Sequence, residues 1–445
     1  MKRVFTRLAA VFKENNWRHL LVLLGIGLLL RFLLLPIDYS WDVNSFISWG
    51  KEAHNFGLSG FYQRPTIENF GSTFPTYAPI PILLFYLIYS LITVIQSVVW
   101  QINVAVPVFP SQLVFFFESR LFLGIMMKLP AIFADIFLAY SLYILVDKYK
   151  PKMALYVASL VLFNPAFFYT SALWGQIDSL PVVFIVLALC CLLHTKRLIV
   201  PWIFFAIALV AKQTSIILLP LLALIYMRKY GAKNSLKGGF IGLLVFMAWF
   251  LPFYQSGNIL TFPFTTYYSN MLLGSGIPFV SNHAFNFWAL ITQWTDIPDT
   301  TMFLFGIPYV LWGILLTAGF IIPLFYFSIK RKLSIESVFF TAALNVFIIF
   351  LFMTKMHERH FQPVLTFLIP LAIANKKYRR IFVLLSIFHM ANLYHNWAVP
   401  PVDLLINAIR NAFFENAMII VGLGAFLVLF KNYLEDSLRL RRRIA

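Results

Sequence analysis

Asp42 opens a segment, Trp41 to Ala53, in which Val43, Phe46, Ile47, Gly50 and Ala53 recur at helical spacing while Asn44, Ser48, Lys51 and Glu52 take the other face. The spacing predicts an amphipathic helix lying in a membrane interface, with Asp42 at its start. An Asp there is a favoured helix cap, and it is also placed to act as a general base toward a lipid-linked substrate. The residues by themselves favour the cap slightly, and the two roles are compatible. A second group is Trp174-Gly175-Gln176-Ile177-Asp178, bracketed by Asn164-Pro165 and Pro181. It reads either as an interfacial Trp anchor with a turn Asp or as a dense set of hydrogen-bonding groups at a span boundary. A third is Lys355, His357, Glu358, Arg359 and His360, followed by Pro363. Glu358 is the intramolecular partner available to these cations, and a phosphate is the alternative, because a guanidinium matches phosphate with a two-pronged fork. His357 and His360 have the spacing of a metal pair but no companion Cys/His pair, so phosphate recognition ranks above metal binding and no metal site is expected. Lys212, in Lys212-Gln213-Thr214, is a further candidate cation. Asp135 falls inside an apolar run with Lys128 about two turns earlier. A carboxylate at that depth costs on the order of 3 kcal/mol on insertion scales, so it needs a partner, and pairing within a helix bundle is the expected role.

The elements that must position these groups are membrane spans. The chain has 445 residues, 61% hydrophobic, 18% aromatic and only 12% charged. Soluble chains carry about a quarter charged residues. The formal charge of +18 sits in short loops beside apolar runs, where it reads as orientation information and contact with anionic lipid rather than as a nucleic-acid surface. Cys190 and Cys191 are adjacent within an apolar run and form no disulfide framework. The run after Lys2–Arg18 is interrupted by Arg31 and lacks a small-residue cleavage site, so it is expected to stay as an anchor.

About twelve spans are expected, roughly 18–36, 120–146, 153–171, 179–195, 198–211, 214–228, 238–255, 303–328, 336–354, 361–375, 381–397 and 415–431. Basic clusters at Lys2–Arg18, Lys148–Lys152, Lys196–Arg197, Arg228–Lys237, Lys330–Lys332, Lys376–Arg380 and Lys431–Arg443 hold most of the 35 Lys and Arg. Such clusters belong in the cytoplasm, which places both termini inside and the Asp42, Asp178 and His357 groups outside. The uncharged run Ala78–Trp100 breaks this alternation if it crosses. It is therefore read as a juxtamembrane or re-entrant helix that does not change sides, with Pro79 and Pro81 giving an oblique start. The expectation is one membrane-embedded unit over 1–445, all-α and polytopic, with long outer loops at 37–119 and 256–302.

The order of the motifs resembles a known family. An acidic residue opens the first outer loop, then come Pro75-Thr76-Tyr77-Ala78-Pro79, Lys128 to Asp135, Asn164-Pro165, Trp174 to Asp178, Lys212-Gln213, His283-Ala284-Phe285-Asn286-Phe287-Trp288, and His357-Glu358-Arg359 with Pro363. This is similar to the GT-C superfamily of integral-membrane glycosyltransferases. The nearest branch is that of the second mannosyltransferase of GPI-anchor assembly and its prokaryotic relatives, akin to the glucosyltransferases that use dolichyl-phosphate-glucose. The resemblance implies about twelve transmembrane helices with juxtamembrane helices in the first outer loop, in a cell membrane, a prokaryotic one by preference. It implies transfer of a hexose, mannose first, from a polyprenyl-phosphate donor to a hydroxyl of a glycan or glycolipid acceptor on the outer face, with inversion and without a cofactor. It gives Asp42 the role of catalytic base. Gln176, Asp178, Lys212, Asn286, Trp288, Lys355, His357, Glu358 and Arg359 are expected to bind substrate, with Lys355, His357 and Arg359 stabilising the charge that develops on the departing phosphate. The chain departs from the pattern at Pro-Thr-Tyr-Ala-Pro, where many relatives have Asp-Tyr-Pro-Pro, and at His283, where Asn is more usual. Rival readings are a lipid-linked glycan polymerase or ligase and a flippase or transporter. A transporter should show ionisable groups near the bilayer midplane and half-to-half symmetry, and here only Asp135 is deep.

Overall fold

A computed structural model describes residues 16–37, 40–68, 70, 73–274 and 277–442. Among these the chain is helical, with isolated β-bridges and no extended strand. Helix α1 is Asn16–Leu34, α2 is Trp41–Phe56, and α3 is Pro79–Ala105. A short α4, Ser111–Glu118, leads into α5, Arg120–Asp147, and α6, Pro151–Leu162. Then follow α7 (Ser179–His194), α8 (Val200–Ala211), α9 (Leu219–Tyr230) and α10 (Ala232–Phe250). The last third comprises the short α11 (Phe287–Thr292), α12 (Tyr309–Lys330), α13 (Ile335–Phe352), α14 (Gln362–Ala374), α15 (Lys376–Asn396) and α16 (Ala412–Arg442).

Seven helices among the described residues are long and apolar enough to cross a membrane, or eight if the pair flanking Asn164, bent by 45°, is one span. Large apolar side chains stand exposed along them, including Leu29 and Leu33 on α1, Leu87 and Leu91 on α3, and Ile322 on α12. Such faces suit a bilayer, since helices with all backbone groups paired are what hydrocarbon tolerates. The chain has the make-up of a multi-pass membrane protein. The expected count of twelve is not reached by length and composition. The stretches expected as spans at 198–211 and 214–228 form a helix of 12 residues and a 3-10 turn followed by another of 12. Prolines and polar residues at the site break the apolar runs there, and neighbouring helices cover the short pieces.

The run Ala78–Trp100 is not re-entrant. It lies in one unbroken helix of 27 residues, α3, with prolines in its first turn. Its buried Phe85 and Ile92 cluster with Met127 on α5, Ala206 and Val210 near the end of α8, and Phe246 and Phe250 at the end of α10. Gln96 of α3 donates to the carbonyl of Phe117, just before α5 begins. Its companions thus come from one end of the bundle. Gly50 permits the close crossing of α2 over α3, because a Cβ there would lie 2.7 Å from the Phe85 carbonyl oxygen. A larger core joins α6, α7, α9 and α13 to α16, and the polar groups described next lie where the two meet.

Candidate active site

Ser40 stands at the N-cap of α2 with an extended backbone, and its hydroxyl donates to the Trp174 carbonyl at 2.9 Å. Asp42 is therefore not the cap. It sits within the first turn, half-buried, and its Oδ2 accepts from Trp174 Nε1 at 3.1 Å. No side chain caps α2: the helix begins at Trp41, the Ser40 hydroxyl is spent on Trp174, and the Asp42 carboxylate meets a group from elsewhere in the chain. Asp38, in the same loop, lies outside the described residues.

Trp174 ends a π-helical turn over Tyr169–Trp174, and Gly175 follows with φ 86°. A Cβ on Gly175 would lie 2.7 Å from Val43 Cγ2 and 3.0 Å from Lys128 Cγ, so both backbone angle and space demand glycine. This turn aims Gln176 and Asp178 inward, both almost fully buried. Gln176 Oε1 accepts from the Tyr77 hydroxyl at 3.0 Å. Asp178 Oδ1 accepts from Lys212 Nζ at 2.5 Å, and Lys212 lies about 6.0 Å over the Tyr77 ring.

Behind this layer, Asp135 pairs with Arg31 at 2.8 Å and accepts from Ser171 at 2.6 Å and Ser179 at 2.5 Å. Its partner is Arg31 of α1, not Lys128, which donates to the carbonyls of Leu35 and Ala172. Arg31 also holds the carbonyls of Gly27 and Leu162, and Gln362 Nε2 donates to Ser179 Oγ at 2.6 Å. The deep carboxylate ties α1, α5, α7 and α14 together beneath Asp178, which is the structural pairing expected of it.

Glu358 and Arg359 lie in a short 3-10 turn before α14. Burial opposes the charge on Arg359, but Asp42, Glu358, Tyr77 and Asp178 together hold its pKa above the ordinary value, which brings the three sequence groups into one cluster. Its direct ion pair is with Glu358 at 3.4 Å, and Arg359 Nε is buried without a partner. Gln176 Nε2, Asp178 Oδ2 and Glu358 Oε2 are likewise unpartnered. Buried polar atoms are nearly always paired, so these atoms are free to bond water or a ligand. Burial pushes the Glu358 carboxyl up to about 7, Arg359 opposing. Glu358 is fully buried, whereas Asp42 is reachable.

Other expected site residues have different partners. Burial and the neighbouring Arg359 hold His357 well below its usual pKa, so it is neutral. Its Nε2 lies 2.8 Å from Asn282 Nδ2, so the imidazole accepts there. Lys355, with φ 63°, reaches Asp299 at 3.3 Å and is largely exposed. The three-cation cluster expected around a phosphate thus reduces to Arg359, with Lys212 nearby on Asp178. Asn286 caps α11 through the Ala289 amide at 3.1 Å, and Trp288 donates to the Phe352 carbonyl at 2.7 Å within a small core with Val280 and Tyr309. Both support the loop that carries Asn282. No group of three His, Cys, Asp or Glu side chains able to hold a metal is found among the described residues.

A narrow apolar slot of about 80 Å³ runs between α7 and α13 to Asp178 and His360, walled by Val182, Ile185, Leu218 and Ile349. A larger one, about 960 Å³, lies between α6 and α15 and touches Tyr169 and Leu173 of the π turn. Ser179, Asn282 and Gln362 were not singled out by sequence reasoning; Tyr77 entered only within the Pro75–Pro79 motif and Arg31 only as the charge interrupting the first apolar run. Neither protein-family models nor curated proteins give a match to the chain.

Proposed function

We propose that this protein is a membrane glycosyltransferase of the polyprenyl-phosphate-dependent kind, working on the outer face of a cell membrane, and moving a hexose, mannose first, to a hydroxyl of a glycan or glycolipid. The observation that carries the reading is one polar cluster in which the Asp42 carboxylate, held by Trp174, lies within electrostatic reach of Arg359, a half-buried guanidinium whose Nε has no hydrogen-bond partner. The resemblance of the motifs supports it, as do the apolar slot that ends at Asp178 and His360 and the basic loops that orient the chain.

The chemistry is a single displacement. Trp174 Nε1 occupies one oxygen of Asp42 and orients the other toward the acceptor. Asp42 takes the proton of the acceptor hydroxyl as its oxygen bonds to the anomeric carbon. The bond from that carbon to the phosphate oxygen breaks on the opposite face, so the configuration inverts. The electron pair leaves with the polyprenyl phosphate, which gains one negative charge beside Arg359. The slot houses the first part of the carrier chain, held there by packing contacts, since the chain leaves lipid rather than water to enter it. Lys212 keeps Asp178 charged-paired and the Tyr77–Gln176 contact keeps the floor of the site rigid.

Purified protein in lipid nanodiscs, given polyprenyl-phosphate-linked mannose, glucose or galactose with glycan acceptors, should release carrier phosphate and form a glycoside of inverted configuration. Failure of every donor to react, or retention of configuration in the product, would remove this mechanism. Energy-coupled movement of an intact lipid-linked sugar would put the transporter reading in its place.

A further inference from the structure

A polar cavity of about 470 Å³ lies beside the Asp42 cluster, bounded by Asn282, His283, Trp294, Asp296, His395 and Arg410. Its size falls within the roughly 300–1,000 Å³ of small-molecule sites. Its construction is specific. Glu415 uses both oxygens, accepting from Trp294 Nε1 at 2.7 Å and meeting His395 Nε2 at 2.7 Å. The indole and imidazole are thereby held 4.9 Å apart with planes 31° from parallel. Gln293 and Trp294 reach this position only by adopting left-handed backbone angles, φ 47° and 63°, which non-glycine residues rarely take. Backbone held in such a state needs surrounding structure to fix it and clusters at ligand sites. Arg410 spends Nε on the His395 carbonyl, at 3.0 Å, and its terminal nitrogens make no hydrogen bond or ion pair among the described residues. Asp296 and His283 are exposed, and Ser281 Oγ and His395 Nδ1 lack partners.

Such a cavity offers an aromatic wall, a free carboxylate, an amide and a guanidinium. That is the chemistry that recognises a ring with apolar C–H faces and a rim of hydroxyls. Two carboxylates against one guanidinium disfavour a phosphate and favour an uncharged sugar. One wall residue reaches toward the Asp42 cluster, because Asn282 lines the cavity and touches His357, two residues from Arg359. We infer that this cavity binds a sugar unit of the acceptor glycan, one or more residues away from the hydroxyl presented to Asp42. The inference rests on the glycosyltransferase reading and adds where the acceptor is held.

The test is saturation-transfer NMR of the full-length protein in nanodiscs with neutral di- and trisaccharides of mannose, glucose and N-acetylglucosamine. At least one should receive saturation from the wild type. The signal should weaken about tenfold in apparent affinity in both Asp296→Ala and Arg410→Ala, each at an exposed position, and persist in Asp42→Asn. Saccharide signals unchanged in both cavity variants, or absent in the wild type at millimolar ligand, would overturn the inference. Donor cleavage is measured in parallel with polyprenyl-phosphate-mannose and -glucose together with the same glycan acceptors. Cleavage by the wild type together with unaltered saccharide binding in the variants removes the cavity's role and leaves the transferase reading standing. No cleavage, with binding lost in the variants, removes the transferase reading and the acceptor role with it.

Discussion

At the scale of single residues, Asp42 is distinguished from its neighbours by what it is bonded to. The Trp174 indole holds one of its oxygens, and Asn keeps that acceptor while losing the ability to take a proton. Asp42→Asn should therefore fold as the wild type and lose roughly two to four orders of magnitude in transfer, with donor binding retained. Asp38→Asn, in the same loop, is the control and should be much milder in the same assay. Full transfer in Asp42→Asn would move the base elsewhere. Arg359→Lys preserves charge and removes the fork; turnover should fall about a hundredfold while insertion and purification proceed normally, and wild-type turnover would make the residue structural. Glu358 has a different signature. Its folded-state pKa of about 7 lies above the unfolded value near 4.3, so the protonated carboxyl favours the native state. That contribution is complete below pH ~4.3 and is lost as pH rises through about 7. Melting temperatures in detergent at pH 5 and 8 should show a fall in the wild type that Glu358→Gln flattens. Identical profiles for the two proteins would contradict the raised pKa.

Elements set these residues in place. The π turn at Tyr169–Trp174 and the left-handed Gly175 rotate the chain so that Trp174 meets Asp42 while Asp178 meets Lys212. Adding a methyl group at Gly175 drives it into Val43 and Lys128. Gly175→Ala should cost about 1–3 kcal/mol and reduce transfer more than its stability loss explains, because the Trp174–Asp42 and Lys212–Asp178 contacts both move with the turn. Paired measurement of thermal stability and turnover checks this; a stable, fully active variant would show that the turn tolerates adjustment. The Arg31–Asp135 pair works at the same scale. It is fully buried, and each partner without the other would leave an uncompensated charge. It locks α1 to α5 beside the site.

For the molecule as a whole, sidedness is the question that links the cluster to its substrates. The basic-loop alternation requires that α3 leave the chain on the side where it began. By length and composition α3 is itself one of the seven helices able to cross a membrane, which sets it against the charge pattern. Tyr149→Cys and Asn234→Cys should resist a membrane-impermeant thiol reagent in intact cells and react after permeabilisation. Labelling of both in intact cells would invert the topology and place the Asp42 cluster inside.

The helical membrane class was legible in apolar run length and in charge confined to loops, because burying polar backbone in lipid leaves helices as the economical solution for such runs. The α2 helix and the chemistry-bearing motifs were also legible, since each is local in sequence, but the helix's polar face was not: Ser48 and Glu52, expected there, are buried. Twelve spans were not, because run length cannot tell a helix that faces lipid from a short one shielded by neighbours, as at α8 and α9. Partner choice was equally hidden. Asp135 met Arg31 rather than the nearby Lys128, Lys355 turned to Asp299, and His357 became neutral through burial and Asn282. Residue types and short spacings are properties of the chain by itself. Which charges meet, which lose their water, and that Asp42 lies beside Trp174 from 132 residues away are decided only when the helices pack, because desolvation and ion pairing depend on neighbours that sequence order does not bring together.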